Sequence, residues 1–368
     1  MSMNTPDART DQPRETRIGD RIWLSAPGVY RIVLTTGYET GDVNVWLLDG
    51  DEPVLFDAGT GTDASNNELR GALADIGRKM TDIRMLLLTH AHIDHCGGAG
   101  MVAGEAGCPV LVHESELRRV RDFKAVSRVE VEAMAPVLDL MGFEGDVGDR
   151  ARTMLDSLSS TAVPCPDAMP LPEVVDIGGR RISWSYRPGH SPADVVFLMD
   201  DMPLAFTGDH ILPHVASSPA LDYRDQGMYH QALPRYRASL VESASLTRLT
   251  GCPGHGATFA DVGARARMIM RTQEIRLSRV RGIVTKTGAR TVFQVTCELF
   301  GRNFRWEILM LANETAGYLK VLTDEGVVAM QRAPGVPDRF IPMADGSVES
   351  GSGGRWPTDA GHNRIVTS

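Results

Sequence analysis

The sequence predicts an α/β protein whose short buried strands deliver polar side chains to one edge of a sheet. Three observations carry that expectation. The apolar run Met85-Leu86-Leu87-Leu88 opens directly into Thr89-His90-Ala91-His92-Ile93-Asp94-His95-Cys96-Gly97-Gly98, so four metal-competent side chains sit where a strand gives way to a turn. The same order of apolar strand, turn residue and ligand returns at His190, Asp209 and His255. Between strands, Leu69, Leu73 and Ile76 recur at helical spacing.

Taken in order, residues 30–34, 43–48 and 54–56 read as short strands separated by turns, and 66–79 as a helix covering the sheet. Residues 108–112 form another strand, ending at His113-Glu114. Over 115–142, Leu117, Val120, Val131, Met134, Leu138 and Met141 give a predominantly helical pattern, and 150–158 adds a further helical segment. Pro164, Pro166, Pro170 and Pro172 then impose a rigid, non-helical return. Strands follow at 181–186, 204–206 and 246–250. From 262 the pattern changes to helices at 262–281, 291–300 and 303–322, closed by a short strand at 326–330. The stretch 334–368 is rich in Gly, Ser, Pro and Asp, as expected of a flexible or surface-bound tail.

The ligand spacing has a geometric meaning. His90 and His92 differ by two, so both imidazoles leave the same face of an extended backbone, whereas Asp94 and His95 follow the turn and point to a second position. His190 lies in Pro188-Gly189-His190-Ser191-Pro192, where Pro and Gly end a strand. Asp209 ends Phe206-Thr207-Gly208-Asp209, and a carboxylate can offer one oxygen to each of two metals. His255 lies in Cys252-Pro253-Gly254-His255-Gly256. Two neighbouring metal positions are the expectation.

With these residues in this order, the chain resembles the metallo-beta-lactamase fold superfamily of hydrolases over roughly residues 20 to 265. The resemblance implies a four-layer αββα sandwich in which His90, His92 and His190 hold one metal, Asp94, His95 and His255 the other, and Asp209 bridges them. The segment Val54-Leu55-Phe56-Asp57-Ala58-Gly59-Thr60 is similar to the superfamily's early strand and turn, which would make Asp57 the partner that fixes a ligand histidine's tautomer. The succession after 262 resembles the C-terminal winged-helix-like module of one branch, the beta-lactamase-like protein 2 type. The expected organisation is a flexible segment at 1–20, a catalytic domain at 21–261 with a helical insertion at about 114–172, a winged-helix-like domain at 262–333 and a tail at 334–368.

Two divalent ions roughly 3.5 Å apart would share a water, lower its pKa towards ~7 and receive the leaving group. Nitrogen-rich ligands with two carboxylates suit Zn2+, while Fe and Mn accept the same donors. Asp94 could both bind metal and orient the water. Tyr223 is a candidate to stabilise oxyanion charge, and His210, His214 and His230 are further candidates to face the substrate. The expected substrate is a small molecule, a carbonyl ester, thioester or lactone with an acyl portion. A metal-dependent endoribonuclease or phosphodiesterase, and an iron-dependent oxidative member of the fold, are the alternatives.

A chain of 368 residues, 42% hydrophobic and 23% charged, can build a substantial core. Its net charge of -9 disfavours a surface that coats nucleic acid, although Arg265, Arg267, Arg271, Arg276, Arg279, Arg281, Lys286, Arg290, Arg302 and Arg305 concentrate in the last module. A packing role against the catalytic domain, or a wall of its cleft, is preferred for that module. The insertion is read either as a cover over the metal cleft or as a helical brace or homodimer surface. Five scattered cysteines argue against a disulfide framework, and Cys96 is expected to be a small residue packed under the ligand loop. Polar residues 1–20 resemble neither a secretory signal nor a membrane anchor, so the expected compartment is the cytoplasm.

Overall fold

Strand alternation divides the apolar residues between two cores. In β4 (Val43–Leu48) every residue is buried: Val43, Val45 and Leu47 join one cluster, while Trp46 and Leu48 join another. Such a strand must be central in its sheet, with both faces covered. The computed structural model describes residues 15–38, 41–143, 153, 161–219, 231–301 and 308–343.

An eight-stranded sheet runs in sequence order through β1 (Thr16–Arg17), β2 (Ile22–Ala26), β3 (Val29–Leu34), β4, β5 (Val54–Phe56), β6 (Met85–Leu87), β7 (Val110–Val112) and β8 (Met169–Pro170). Its first half is antiparallel, and β5 to β8 are parallel. A second sheet contains β9 (Val175–Ile177), β10 (Arg180–Tyr186), β11 (Val195–Met199), β12 (Leu204–Gly208) and β13 (Thr250–Pro253), in the order β13-β12-β11-β10-β9, with β12 and β13 parallel.

The sheets meet through Trp46, Phe56, Phe197 and Phe206. Phe56 stacks on Phe206 at 3.8 Å between centroids and meets Phe197 edge-on at 5.4 Å. Outside the first sheet, Leu69 and Leu73 of α1 (Asp63–Asp75) and Val102 of α3 (Ala99–Ala106) cover its outer face; α2 (Ile93–Cys96) lies just before α3. The insertion supplies α4 (Leu117–Arg121) and α5 (Phe123–Met141). Outside the second sheet, Tyr236 and Leu240 of α6 (Ala232–Ser243) join Val262, Ala266 and Ile269 of α7 (Val262–Thr287). These are the four layers of an αββα sandwich.

The end of α7, α8 (Val292–Phe300), α9 (Ile308–Asp324) and the hairpin β14 (Val328–Gln331) and β15 (Arg339–Pro342) form a small C-terminal module. Met134, Leu138 and Met141 of α5 pack into this module's core beside Val280, Val284 and Val295. The described part of the insertion thus contributes to two cores, Val120 and Phe123 to that of the first sheet and the end of α5 to that of the module.

The structure moves two elements from where the sequence suggests them. Residues 246–249 do not form a strand; their backbone instead anchors the start of α7, through Val262 N to Leu249 O (3.0 Å) and Gly263 N to Leu246 O (2.9 Å). The strand is β13, whose Gly251 has no alternation to betray it because Phe259 occupies the space a Cβ would need. Within 334–343, read above as the start of a tail, β15 completes the hairpin and buries Phe340. Of the expected helix at 150–158, Thr153 alone is described and is helical; residues 1–14 and 344–368 lie outside the described residues. Among the described residues, no helix is long and apolar enough to cross a membrane.

Phe56→Ala removes the ring that joins both sheets, and is expected to cost about 3–5 kcal/mol of stability, read as a lower midpoint in urea unfolding.

Candidate metal centre

The carboxyl ends of β5, β6, β10, β12 and β13 lie along one edge of the sandwich, and each releases a polar side chain there: Asp57, His90, His190, Asp209 and His255. Two hydrogen bonds lace the sheets together at that edge, Val195 N to Thr89 O (2.8 Å) and Asn44 N to Gly254 O (2.7 Å).

His90, His92 and His190 converge. His92 Nδ1 lies 3.1 Å from His90 Nε2 and 2.9 Å from His190 Nε2. The three rings are nearly perpendicular to one another, at 80°, 81° and 83°, and their facing nitrogens lie within 4.8 Å of one another. Asp94, His95 and His255 form a second group, and His90, His95 and Asp209 a third that joins the two; within each, the ligand atoms lie within 4.8 Å of one another. Asp209 Oδ2 stands 3.5 Å from His190 Nε2 and 3.4 Å from His255 Nε2, while its Oδ1 stands 3.5 Å from His95 Nε2. Asp209 thus touches both positions.

The residues fit a pair of metals. His95 Nε2 and Asp209 Oδ1 are buried and have no hydrogen-bond partner among the described residues, a costly state unless a cation lies between them. Burial pushes His90, His92 and His190 below the usual imidazole range, which keeps them neutral as metal ligands must be. Burial also depresses His255, but Asp209 and Asp94 outweigh it and raise it to about 10. Burial opposes ionisation of Asp209, yet His255 and His95 hold it well below the carboxylate range. The pocket is electrostatically built for positive charge.

Outer hydrogen bonds set the tautomers. Asp57 Oδ2 accepts from His95 Nδ1 at 2.8 Å and also takes the Thr89 hydroxyl, leaving that oxygen to accept from His90 Nδ1 at 3.1 Å. The Ser218 carbonyl faces His190 Nδ1 at 3.1 Å and the Asp42 carbonyl faces His255 Nδ1 at 2.7 Å. In all four rings Nε2 is thereby left to the pocket. Asp57 adopts φ 63°, a left-handed conformation that a short polar side chain tolerates and that turns its carboxylate back under the ligand loop.

The family described as the metallo-beta-lactamase superfamily matches residues 38–255, more than half of the chain. The chain belongs to that superfamily. Clustered ligands and superfamily membership together make it a metal-dependent hydrolase working by metal-activated hydroxide chemistry. A protein of Bacillus subtilis named "Probable metallo-hydrolase YqjP" is 27% identical over 83% of this chain and 95% of its own length. A metallo-beta-lactamase family protein from Thermus thermophilus is similar in structure, with TM-score 0.72 and 27% identity over 86% of this chain and 99% of its own. An "Atrochrysone carboxyl ACP thioesterase" of Cryptosporiopsis is 24% identical, over 54% of this chain and 64% of its own.

All seven residues expected as ligands, His90, His92, Asp94, His95, His190, Asp209 and His255, come together at this edge. Tyr223 and His230 lie outside the described residues. His214 is exposed, and His210 turns away to bond Ser243 Oγ at 2.8 Å beneath α6, so it does not face substrate. Cys96 is buried, and that burial pushes its thiol up beyond the normal thiol range, which disfavours the thiolate a nucleophile needs.

Sequence reasoning missed three residues that hold the ligand loops. Thr89 couples Asp57 to His90. Asp194, whose carboxyl burial pushes well above the usual carboxylate range, accepts from Ser191 N and Ser191 Oγ, each at 2.8 Å, and closes the loop that presents His190. Asn44 donates to Pro253 O (2.9 Å) and Gly256 O (2.7 Å), fixing the loop that presents His255. A polar residue inside the apolar strand Val43-Asn44-Val45-Trp46 was the available signal for the last.

Asp57→Asn keeps the left-handed turn and removes the charge behind His95. Metal affinity, read by chelator competition, is expected to fall by about 10- to 100-fold. Cys96→Ala is expected to leave metal content and turnover close to the parent values; a loss of either by an order of magnitude would reinstate the thiol in the chemistry.

Proposed function

We propose that the chain is a binuclear zinc hydrolase acting on a carbonyl ester, thioester or lactone with an acyl portion. The observation that carries this reading is the meeting of two ligand groups with Asp209 between them, its carboxylate oxygens 3.5 Å from His190 and His95 and 3.4 Å from His255. In it, His90, His92 and His190 would hold one metal, Asp94, His95 and His255 the other, and Asp209 would serve both. Imidazole-rich donors with two carboxylates favour Zn2+ over harder ions. Ions bound there supply a water activated at neutral pH and a Lewis acid for the carbonyl oxygen.

The protein's own groups do the remainder. Asp94 is assigned the orientation of the attacking water and the uptake of its proton; its Oδ2 stands 3.3 Å from His255 Nε2, and His95 and His255 hold its pKa down against burial so that it stays ionised. Asp57 and Thr89 keep His95 and His90 in the tautomers that face the pocket. A thioester substrate draws support from the similarity to a protein named as an acyl-carrier thioesterase. The free cysteines, four of them buried, fit a reducing cytoplasmic setting.

A nucleic-acid substrate is less well supported. In a helix-turn-helix the helix after the turn enters the groove. The helix in that position, α9, is packed against α6, α7 and α8, with Glu314, Tyr318 and Leu319 buried, so it offers no reading face.

The test is metal analysis followed by parallel assays on acyl thioesters, lactones and single-stranded RNA. Expected are close to two metal equivalents and hydrolysis of a carbonyl substrate that chelation abolishes and Zn2+ restores. RNA cleavage without carbonyl hydrolysis, or turnover that survives complete metal removal, overturns the reading.

A further inference from the structure

The loop that follows Asp209 serves both metal positions. It begins with the shared carboxylate and ends with the Ser218 carbonyl that holds His190 Nδ1. Its two ends are fastened by the catalytic domain: Ser217 Oγ donates to Asp209 O, Thr207 Oγ1 to Ile211 O (2.9 Å) and Tyr236 OH to His210 O (2.8 Å). The middle is fastened differently. Arg265, in the first turns of α7, donates from Nε to Leu212 O at 2.7 Å and from its guanidinium to Val215 O at 2.8 Å. Val215 itself is exposed, and burial depresses the Arg265 pKa without detaching its charge.

We infer that Arg265 is a positioning residue for the metal pair: by gripping both carbonyls it sets the span between Asp209 and Ser218, and so the joint placement of Asp209 and His190. The planar fork of a guanidinium suits two carbonyls a few residues apart, which one ammonium cannot hold equally. The helix carrying Arg265 runs on into the C-terminal module, and Arg276 farther along it pairs with the buried Glu314 of α9 at 2.7 Å. The module is thereby linked mechanically to the metal site through one helix. Arg267 supplies the contrast, since it donates to Ala244 O at 2.7 Å, at the end of α6 and away from the loop.

This inference rests on the two-metal reading above, and its test does not depend on knowing the substrate. Arg265→Gln, Arg265→Lys and Arg267→Ala are prepared in the full chain, and three quantities are compared with the parent: melting temperature, metal affinity by chelator competition, and the visible absorption of the cobalt-substituted protein. Arg265→Gln is expected to weaken metal binding by about 10-fold and to alter the cobalt spectrum, with Arg265→Lys intermediate and Arg267→Ala at the parent value. With a substrate in hand, kcat falls and KM holds. An unchanged cobalt spectrum and an affinity within about twofold of the parent in Arg265→Lys and Arg265→Gln overturn the inference, as does an equal loss in Arg267→Ala, which would reveal only general loosening of α7. If Arg265→Gln does not fold, Arg265→Lys decides alone. A parent that binds two metals but hydrolyses no carbonyl substrate defeats the functional reading and leaves these metal measurements standing.

Discussion

Burial of three carboxylates beside five imidazoles at one sheet edge is the constraint from which the rest of the structure follows. Asp57, Asp94 and Asp209 are all buried, and an unpaired buried carboxylate costs several kcal/mol. Asp57 is satisfied within the protein by Thr89 and by His95 Nδ1. Asp209 is not: its Oδ1 faces a histidine nitrogen that is itself unsatisfied. The two carboxylates therefore divide the work, one completing the protein's own hydrogen bonding and the other leaving a negative group that a divalent ion would satisfy. Stacked Phe56 and Phe206 sit on the strands that release Asp57 and Asp209, so the dry inter-sheet core fixes both carboxylates.

Backbone close approach makes that edge narrow enough. A Cβ at Gly254 would come within 2.2 Å of Asp209 Oδ1, and one at Gly208 within 2.5 Å of Thr89 Oγ1. Glycine at these positions is a requirement of ligand density and not of turn flexibility alone. The glycines beside His255 and Asp209 in the sequence have their explanation there.

Ligands and strands were legible in the sequence because each signal is local. An apolar run, a turn residue and a histidine lie within a few positions, and the two-residue offset of His90 and His92 carries its own geometry. The supporting residues were hidden because their partners are remote: Asn44 acts on a loop more than two hundred residues away, and Thr89 acquires meaning only once Asp57 is beside it. β13 was misplaced because Gly251 and Pro253 erase the alternation that marks a half-buried strand, and β15 because a strand paired only in a hairpin needs no strong apolar pattern. His210 looked functional by adjacency to Asp209, yet a side chain after a strand end can as readily turn under the next helix.

The arginine-rich C-terminal stretch shows how composition can mislead about partners. Clustered cations suggest phosphate binding, but here several are consumed inside the molecule: Arg265 and Arg267 by main-chain carbonyls, Arg276 by Glu314 and Arg281 by Glu325. A long helix running from the sandwich into the small C-terminal module must satisfy loop carbonyls and helix ends along its length, and the five-donor guanidinium does this while its stem covers apolar surface. Gly317 lets α9 approach Leu233 so closely that a Cβ there would lie 2.2 Å from the Leu233 Cβ. A helix buried that tightly cannot also lie in a nucleic-acid groove. Of these arginines, Arg265 and Arg267 fasten α7 to carbonyls of the sandwich, and Arg276 and Arg281 fasten it to the module.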